Sequence, residues 1–194
     1  MKRGIEKKPD GNTKKLTVMT IGHSTHPLDE FIKILEAHGA EELVDVRTIP
    51  RSRHNPQFNR DKLAKGLGKI GYTHISGLGG LRRTRKDSPN TGWRNASFRG
   101  FADYMQTEEF EISLEKLVEI ARKKQVAIMC AEALPWRCHR SLIADALTVR
   151  KIHVEHIYSI TNAKAHELTP FAKVEGVKIT YPAAPASQKG LFEA

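Results

Sequence analysis

The chain has 194 residues, 39% of them hydrophobic and 28% charged, with a formal net charge of +10 and two cysteines. That length supports one domain with its own core, and two cysteines do not make a disulfide framework. With no apolar leader at the amino end and no run near a membrane-spanning length, the expectation is a cytoplasmic protein with reduced thiols and no membrane partner.

Residues 1–14 are polar and carry Lys2, Arg3, Lys7, Lys8 and Lys14, so a flexible basic arm is expected there. The run Leu16 to Ile21 reads as a first strand and ends in Gly22-His-Ser-Thr-His26. Pro27 then opens a helix with Leu28, Phe31, Ile32, Ile34 and Leu35 as its apolar positions, and Gly39 closes it. Leu43 to Val46 is the second strand. Asp45 lies within it, where a carboxylate needs a partner. Helical spacing follows at 61–70, a third strand at Tyr72 to Ile75, and the loop Ser76-Gly-Leu-Gly-Gly80. Two more helical stretches occupy 98–105 and 110–123, the second with Leu114, Leu117, Val118 and Ala121 on one face. Val126 to Met129 is a fourth strand, Ser141 to Val149 a helix, and Val154 to Tyr158 a fifth strand. Strands alternating with helices predict an α/β fold: a single domain over 15–181, its sheet mostly parallel with helices on both faces. Residues 182–194 begin with linker composition and read as a flexible tail.

The most informative stretch is Cys130-Ala-Glu-Ala-Leu-Pro-Trp-Arg-Cys-His-Arg140, which sets both cysteines, a carboxylate, a histidine and two arginines directly after the fourth strand. In a parallel sheet that loop lies at the carboxyl edge, where open α/β folds bind ligands. The segments after the first three strands are expected to converge on it. Two of the loops are basic. Residues 47–60 hold four arginines and no acid, and residues 82–99 hold Arg82, Arg83, Arg85, Lys86, Arg94 and Arg99 against Asp87. Arginine suits bidentate phosphate contacts, and Phe58, Tyr72, Trp93, Phe98 and Phe101 are interleaved as stacking platforms. Nucleic acid is therefore the expected partner, with DNA preferred over RNA.

Taken together, Gly22-His-Ser24, Asp45-Val-Arg47 with Pro50-Arg-Ser-Arg53 and Phe58-Asn59, Leu78-Gly-Gly80, Tyr104-Met105, and Cys130-Ala-Glu132 with Cys138-His-Arg140 resemble domain-of-unknown-function family 488. The resemblance covers about residues 17–160. It implies a compact α/β domain of bacteria and archaea and carries over no catalytic residue.

Three functions fit the residues. The first is an enzyme acting on nucleic acid, in its concrete form a DNA glycosylase-like hydrolase of an N-glycosidic bond. Glu132 and Asp45 are its available carboxylates, and His23 or His139 would donate a proton or orient water. Arg47, Arg51, Arg53 and Arg140 would hold phosphates, with Ser24, Phe58, Asn59, Tyr72, Arg137 and Cys138 completing the binding surface. The second is thiol chemistry at Cys138, which stands at a helix start beside Arg137 and Arg140. Leu43-Val-Asp-Val-Arg47 resembles the strand of rhodanese-like domains, but a phosphatase loop needs five residues between cysteine and arginine, and Cys130 to Arg137 has six. The third is a binding module without catalysis, in which Glu132 and Asp45 brace Arg47 or Arg140. No cofactor is expected, because there is no Walker motif and Gly77-Leu-Gly-Gly80 lacks the third spaced glycine of a dinucleotide loop. No metal is expected either, since Cys130, Cys138 and His139 match no standard zinc spacing.

Overall fold

The computed structural model describes residues 15–183, so the expected arm at 1–14 and all but the first two residues of the expected tail lie outside the described residues. In chain order the elements are β1 (Thr17–Gly22), α1 (Leu28–Ala37), β2 (Glu42–Asp45), α2 (Arg60–Gly66), β3 (Gly71–His74), α3 (Ala96–Tyr104), α4 (Glu108–Ala121), β4 (Val126–Cys130), α5 (Arg140–Val149), β5 (His153–Ser159), β6 (Asn162–Ala165), β7 (Lys173–Glu175) and β8 (Lys178–Thr180). Every strand and helix expected from the sequence is present. β6, β7 and β8 had no counterpart in the pattern, because their residues are mostly exposed and carry no apolar period.

Six strands form one sheet in the order β3-β2-β4-β1-β5-β6. The first five are mutually parallel, and β6 returns antiparallel on β5. Strand alternation assigns the side chains to two cores. Val18, Val44, Val126 and Ile128 face one side with Phe101, Phe110, Leu114, Leu117 and Leu142 from α3, α4 and α5. Met19, Ile21, Leu43, Ala127 and Met129 face the other with Phe31, Ile34, Leu35 and Leu63 from α1 and α2. Among the described residues no helix is long and apolar enough to cross a membrane.

This order positions the site. β1 lies beside β4, with Gly22 opposite Cys130 at the carboxyl ends. The chain leaves β1 towards α1 on one face and leaves β4 towards α5 on the other. Such a divergence opens a crevice above the strand ends. Parallel pairing continues past both strands, with the His23 amide donating to the Cys130 carbonyl (2.9 Å) and the Ser24 amide to that of Ala131 (2.9 Å). Gly22 is required for this approach, since a Cβ there would lie 2.0 Å from the Glu132 carbonyl oxygen. Ser24 takes up the turn with a positive φ of 45°.

Candidate functional site

At the end of β2 Asp45 is fully buried and Arg47 is 6% exposed. The two form a closed ion pair. Oδ1 of Asp45 accepts from the Arg47 amide (3.0 Å) and Nε (2.9 Å), and Oδ2 accepts from Nη2 (2.6 Å) and from the Tyr72 hydroxyl (2.8 Å). The same Nη2 donates to the Phe58 carbonyl (2.8 Å), which pins the loop after β2. Burial beside this carboxylate pushes the Tyr72 hydroxyl well above its ordinary pKa. Asp45 has no free lone pair facing a cavity, so its expected catalytic role gives way to that of a brace, and Arg47 has its Nε and Nη2 committed to Asp45 and the Phe58 carbonyl.

His23 is buried against this pair and stacks on Phe58, with ring centroids 4.2 Å apart. Nδ1 donates to the Ser24 carbonyl (2.9 Å), which leaves Nε2 to accept from Arg47 Nη1 (3.3 Å). Burial, with the Arg47 charge adding to it, lowers the His23 pKa to about 4. A ring that is neutral at physiological pH with both nitrogens engaged is not a proton donor to a leaving base. Phe58, wholly buried, offers no surface to one.

The loop after β4 brings Cys130, Cys138 and His139 together, with their donor atoms all within 4.8 Å of one another. His139 Nε2 donates to the Val46 carbonyl (3.1 Å), so Nδ1 presents its lone pair to Cys138 Sγ at 3.6 Å and Cys130 Sγ at 4.0 Å. His139 therefore faces sulfur, and its expected role towards a leaving base is not what this arrangement serves. A hydrogen bond from Cys130 pulls the Cys138 thiol well below its ordinary pKa against the opposing effect of burial, with the Arg140 charge helping. Cys130, the donor in that bond and itself buried, is pushed well up.

Arg140 is 1% exposed and pairs with no carboxylate among the described residues. Nη2 donates to the Glu132 carbonyl (2.6 Å), so it is the Glu132 backbone, not its side chain, that Arg140 holds. Nη1 donates to Thr20 Oγ1 (3.1 Å), while Nε has no partner among the described residues. Because a carboxylate only accepts, the Asp145 end of the onward chain is fixed. Thr20 Oγ1 lies 2.8 Å from His156 Nδ1, His156 Nε2 lies 2.9 Å from His166 Nδ1, and His166 Nε2 donates to Asp145 Oδ1 (2.8 Å). Asp145 is fully buried and also accepts from Thr169 (2.7 Å) and the Tyr181 hydroxyl (2.8 Å). The cation and its distant anion are thus joined through two imidazoles, and burial lowers the His156 pKa to about 3. Arg140 belongs to this chain and is closed to phosphate, contrary to the sequence expectation.

Above these groups lies a cavity of about 380 Å³ walled by the segments after β2, β3 and β4 and by the start of α3. Arg47, Arg51, Phe98, Glu132, Arg137, Cys138 and His139 all reach it. The convergence expected from the sequence is thus present for three of the four strand ends. Gly22 to Ser24 do not line the cavity themselves and meet its walls through the amides bonded to Cys130 and Ala131 and the His23 to Arg47 contact. Glu132 and Arg137 are exposed, as are Arg51 and Arg53, and none of these four is in an ion pair with a described residue. Asn59 accepts from the Ser52 amide (2.8 Å) and shapes the basic loop. In the second basic loop Arg82 covers the Tyr104 ring at 3.5 Å, Arg85 pairs with Asp87, and Arg99 is held by the Trp93 carbonyl, leaving Arg83, Lys86 and Arg94 exposed. Of the interleaved aromatics only Phe98 lines the cavity.

The family model described as "Domain of unknown function DUF488" matches residues 27–147. The chain belongs to the DUF488 family. The match is narrower than the resemblance over 17–160 and leaves β1 and β5 outside it. Neither a curated protein nor a solved structure matches this DUF488 chain. The residues that local pattern did not reveal are Thr20, Asp145, His156, His166 and Tyr181, which meet only in the tertiary fold, and the exposed Ile49 and Leu81 that line the cavity. A polar threonine inside the apolar β1 run was the one local signal for the first group.

Proposed function

We propose that this DUF488 protein acts on nucleic acid, taking an unstacked base into the cavity above β4 and hydrolysing its N-glycosidic bond, with DNA as the preferred polymer. The observation that carries this reading is the composition of the rim. Ile49 and Leu81 are 61% and 72% exposed, and they line the cavity together with Arg51 and Arg137, which have no acidic partner among the described residues. Exposed apolar side chains can fill the gap a displaced base leaves, while unpaired arginines hold the flanking phosphates. Glu132 is the one cavity carboxylate not spent on a structural contact. In this mechanism it accepts a proton from water as the water oxygen bonds to the anomeric carbon. The bond to the base nitrogen breaks with its electron pair leaving on the base, whose negative charge develops beside Arg51 and Arg137 before solvent protonates it.

A second reading has its own observation, the lowered Cys138 thiol opening on the same cavity. There Cys138 would be the nucleophile of a rhodanese-like or phosphatase-like reaction.

The test pairs a fluorescence titration with strand cleavage after alkali on duplexes carrying a panel of altered bases. Arg51→Gln, Arg53→Gln and Arg137→Gln should weaken binding to all sequences alike and flatten the salt slope by about 0.9 per lost duplex contact. Glu132→Gln should abolish base release with binding retained. Unchanged binding in the arginine variants would remove the nucleic-acid reading, and binding without base release in the unaltered protein would leave a non-catalytic module. Turnover lost in a folded Cys138→Ala variant, with Glu132→Gln active, would put the thiol reading first.

A further inference from the structure

We propose that Cys130, Cys138 and His139 form a three-ligand site for a zinc-class divalent ion whose fourth position opens on the cavity. The ion site does not rest on the glycosidic reading and competes with the use of Cys138 as a free nucleophile. The donors are a thiolate pair and one imidazole, a set that selects zinc over hard cations. Their spacing fits. Bonds of about 2.3 Å to sulfur and 2.0–2.1 Å to nitrogen place tetrahedral sulfur and nitrogen ligands about 3.6 Å apart. Cys138 Sγ lies 3.6 Å from His139 Nδ1 and Cys130 Sγ lies 4.0 Å from it, with all three donor atoms within 4.8 Å.

Two features beyond the ligands point the same way. Nε2 of His139 is held by the Val46 carbonyl, which fixes the tautomer that leaves Nδ1 bare, the outer-sphere arrangement that metal-binding histidines use. Gly80 leaves the imidazole room, because a Cβ at that position would stand 2.5 Å from Nδ1. All three residues line the cavity, so an ion there would have water or substrate as its remaining ligand. The pattern escapes sequence spacing because Cys138 and His139 are adjacent and Cys130 comes from the end of another element.

Cobalt(II) titrated into the full chain, stripped of metal and kept reduced, reports the ligands by colour. The expected result is one equivalent bound with a sulfur-to-cobalt charge-transfer band and intense tetrahedral visible bands, displaced by zinc. Cys130→Ser and Cys138→Ser should each diminish the band, and His139→Gln should weaken binding by more than the ~10–100-fold typical of an outer-sphere change. Cobalt bound without a thiolate band, or no stoichiometric binding, overturns the site. Where a cysteine variant does not fold, X-ray absorption of the zinc-loaded unaltered chain decides: two sulfurs and one nitrogen support the site, and a shell without sulfur refutes it.

Discussion

Replacing Asp45 by asparagine separates a brace from a catalyst. The side chain keeps its shape but loses its charge, and whichever way the amide is turned its NH2 group faces the donors that now converge on Oδ1 or Oδ2, namely Arg47 and Tyr72. Arg47, 6% exposed, is left as a buried cation whose nearest relief is the Phe58 carbonyl. Breaking a buried pair from one side costs about 3–5 kcal/mol, a large share of the ~5–15 kcal/mol that holds a domain together. With a urea dependence of ~2–3 kcal/mol/M, the midpoint of Asp45→Asn should fall by roughly 1–2.5 M. Urea unfolding followed by circular dichroism measures this directly. Asp45→Leu combined with Arg47→Met removes both charges and should recover part of the loss, because an apolar pair of similar volume is often neutral against a buried ion pair. A catalytic carboxylate would give the opposite pattern, with stability kept and turnover gone. An Asp45→Asn protein with an unaltered midpoint would refute the bracing argument.

Two further outcomes follow from the same geometry. His23 and His156 titrate near 4 and 3 when folded, chiefly because they are buried, against about 6.5 in an unfolded chain, so the unfolded state binds more protons between those values. Stability should be level above about pH 7 and fall as pH drops from 6.5 towards 4, by up to ~1.4 kcal/mol per pH unit for each ring; in His156→Gln the dependence of the urea midpoint over that window should lose about one proton's worth of slope, and an undiminished slope would show that His156 is not the group responsible. Gly22→Ala drives a Cβ to 2.0 Å from the Glu132 carbonyl and 2.8 Å from the Ala133 Cα, both backbone, so it should cost at least the ~1–3 kcal/mol of an overpacked core and displace Glu132; a thermal midpoint equal to that of the unaltered chain would mean the loop after β4 yields freely.

The sequence by itself determined the layered α/β plan, because apolar period and the punctuation of Pro27 and Gly39 are local properties that survive without knowledge of the partner. It also brought several reactive side chains to one place, since a parallel sheet carries its connecting loops at the carboxyl edge whatever the strand order, and Arg47, Arg51, Glu132, Arg137, Cys138 and His139 line one cavity there. The Asp45 to Arg47 brace was within reach of sequence because the two residues are neighbours on one strand end. Tertiary structure alone decided which groups remain free. Strand order sets β1 between β4 and β5, which brings Thr20 to both His156 and Arg140 and completes the chain to Asp145 across residues far apart in sequence. The same packing buries Arg140 and Phe58 and leaves Arg51 and Trp136 in solvent, although nothing in the residue types distinguishes one arginine or one aromatic from another. Hydrogen-bond saturation and burial are properties of the assembled neighbours, and a one-dimensional pattern holds no record of them.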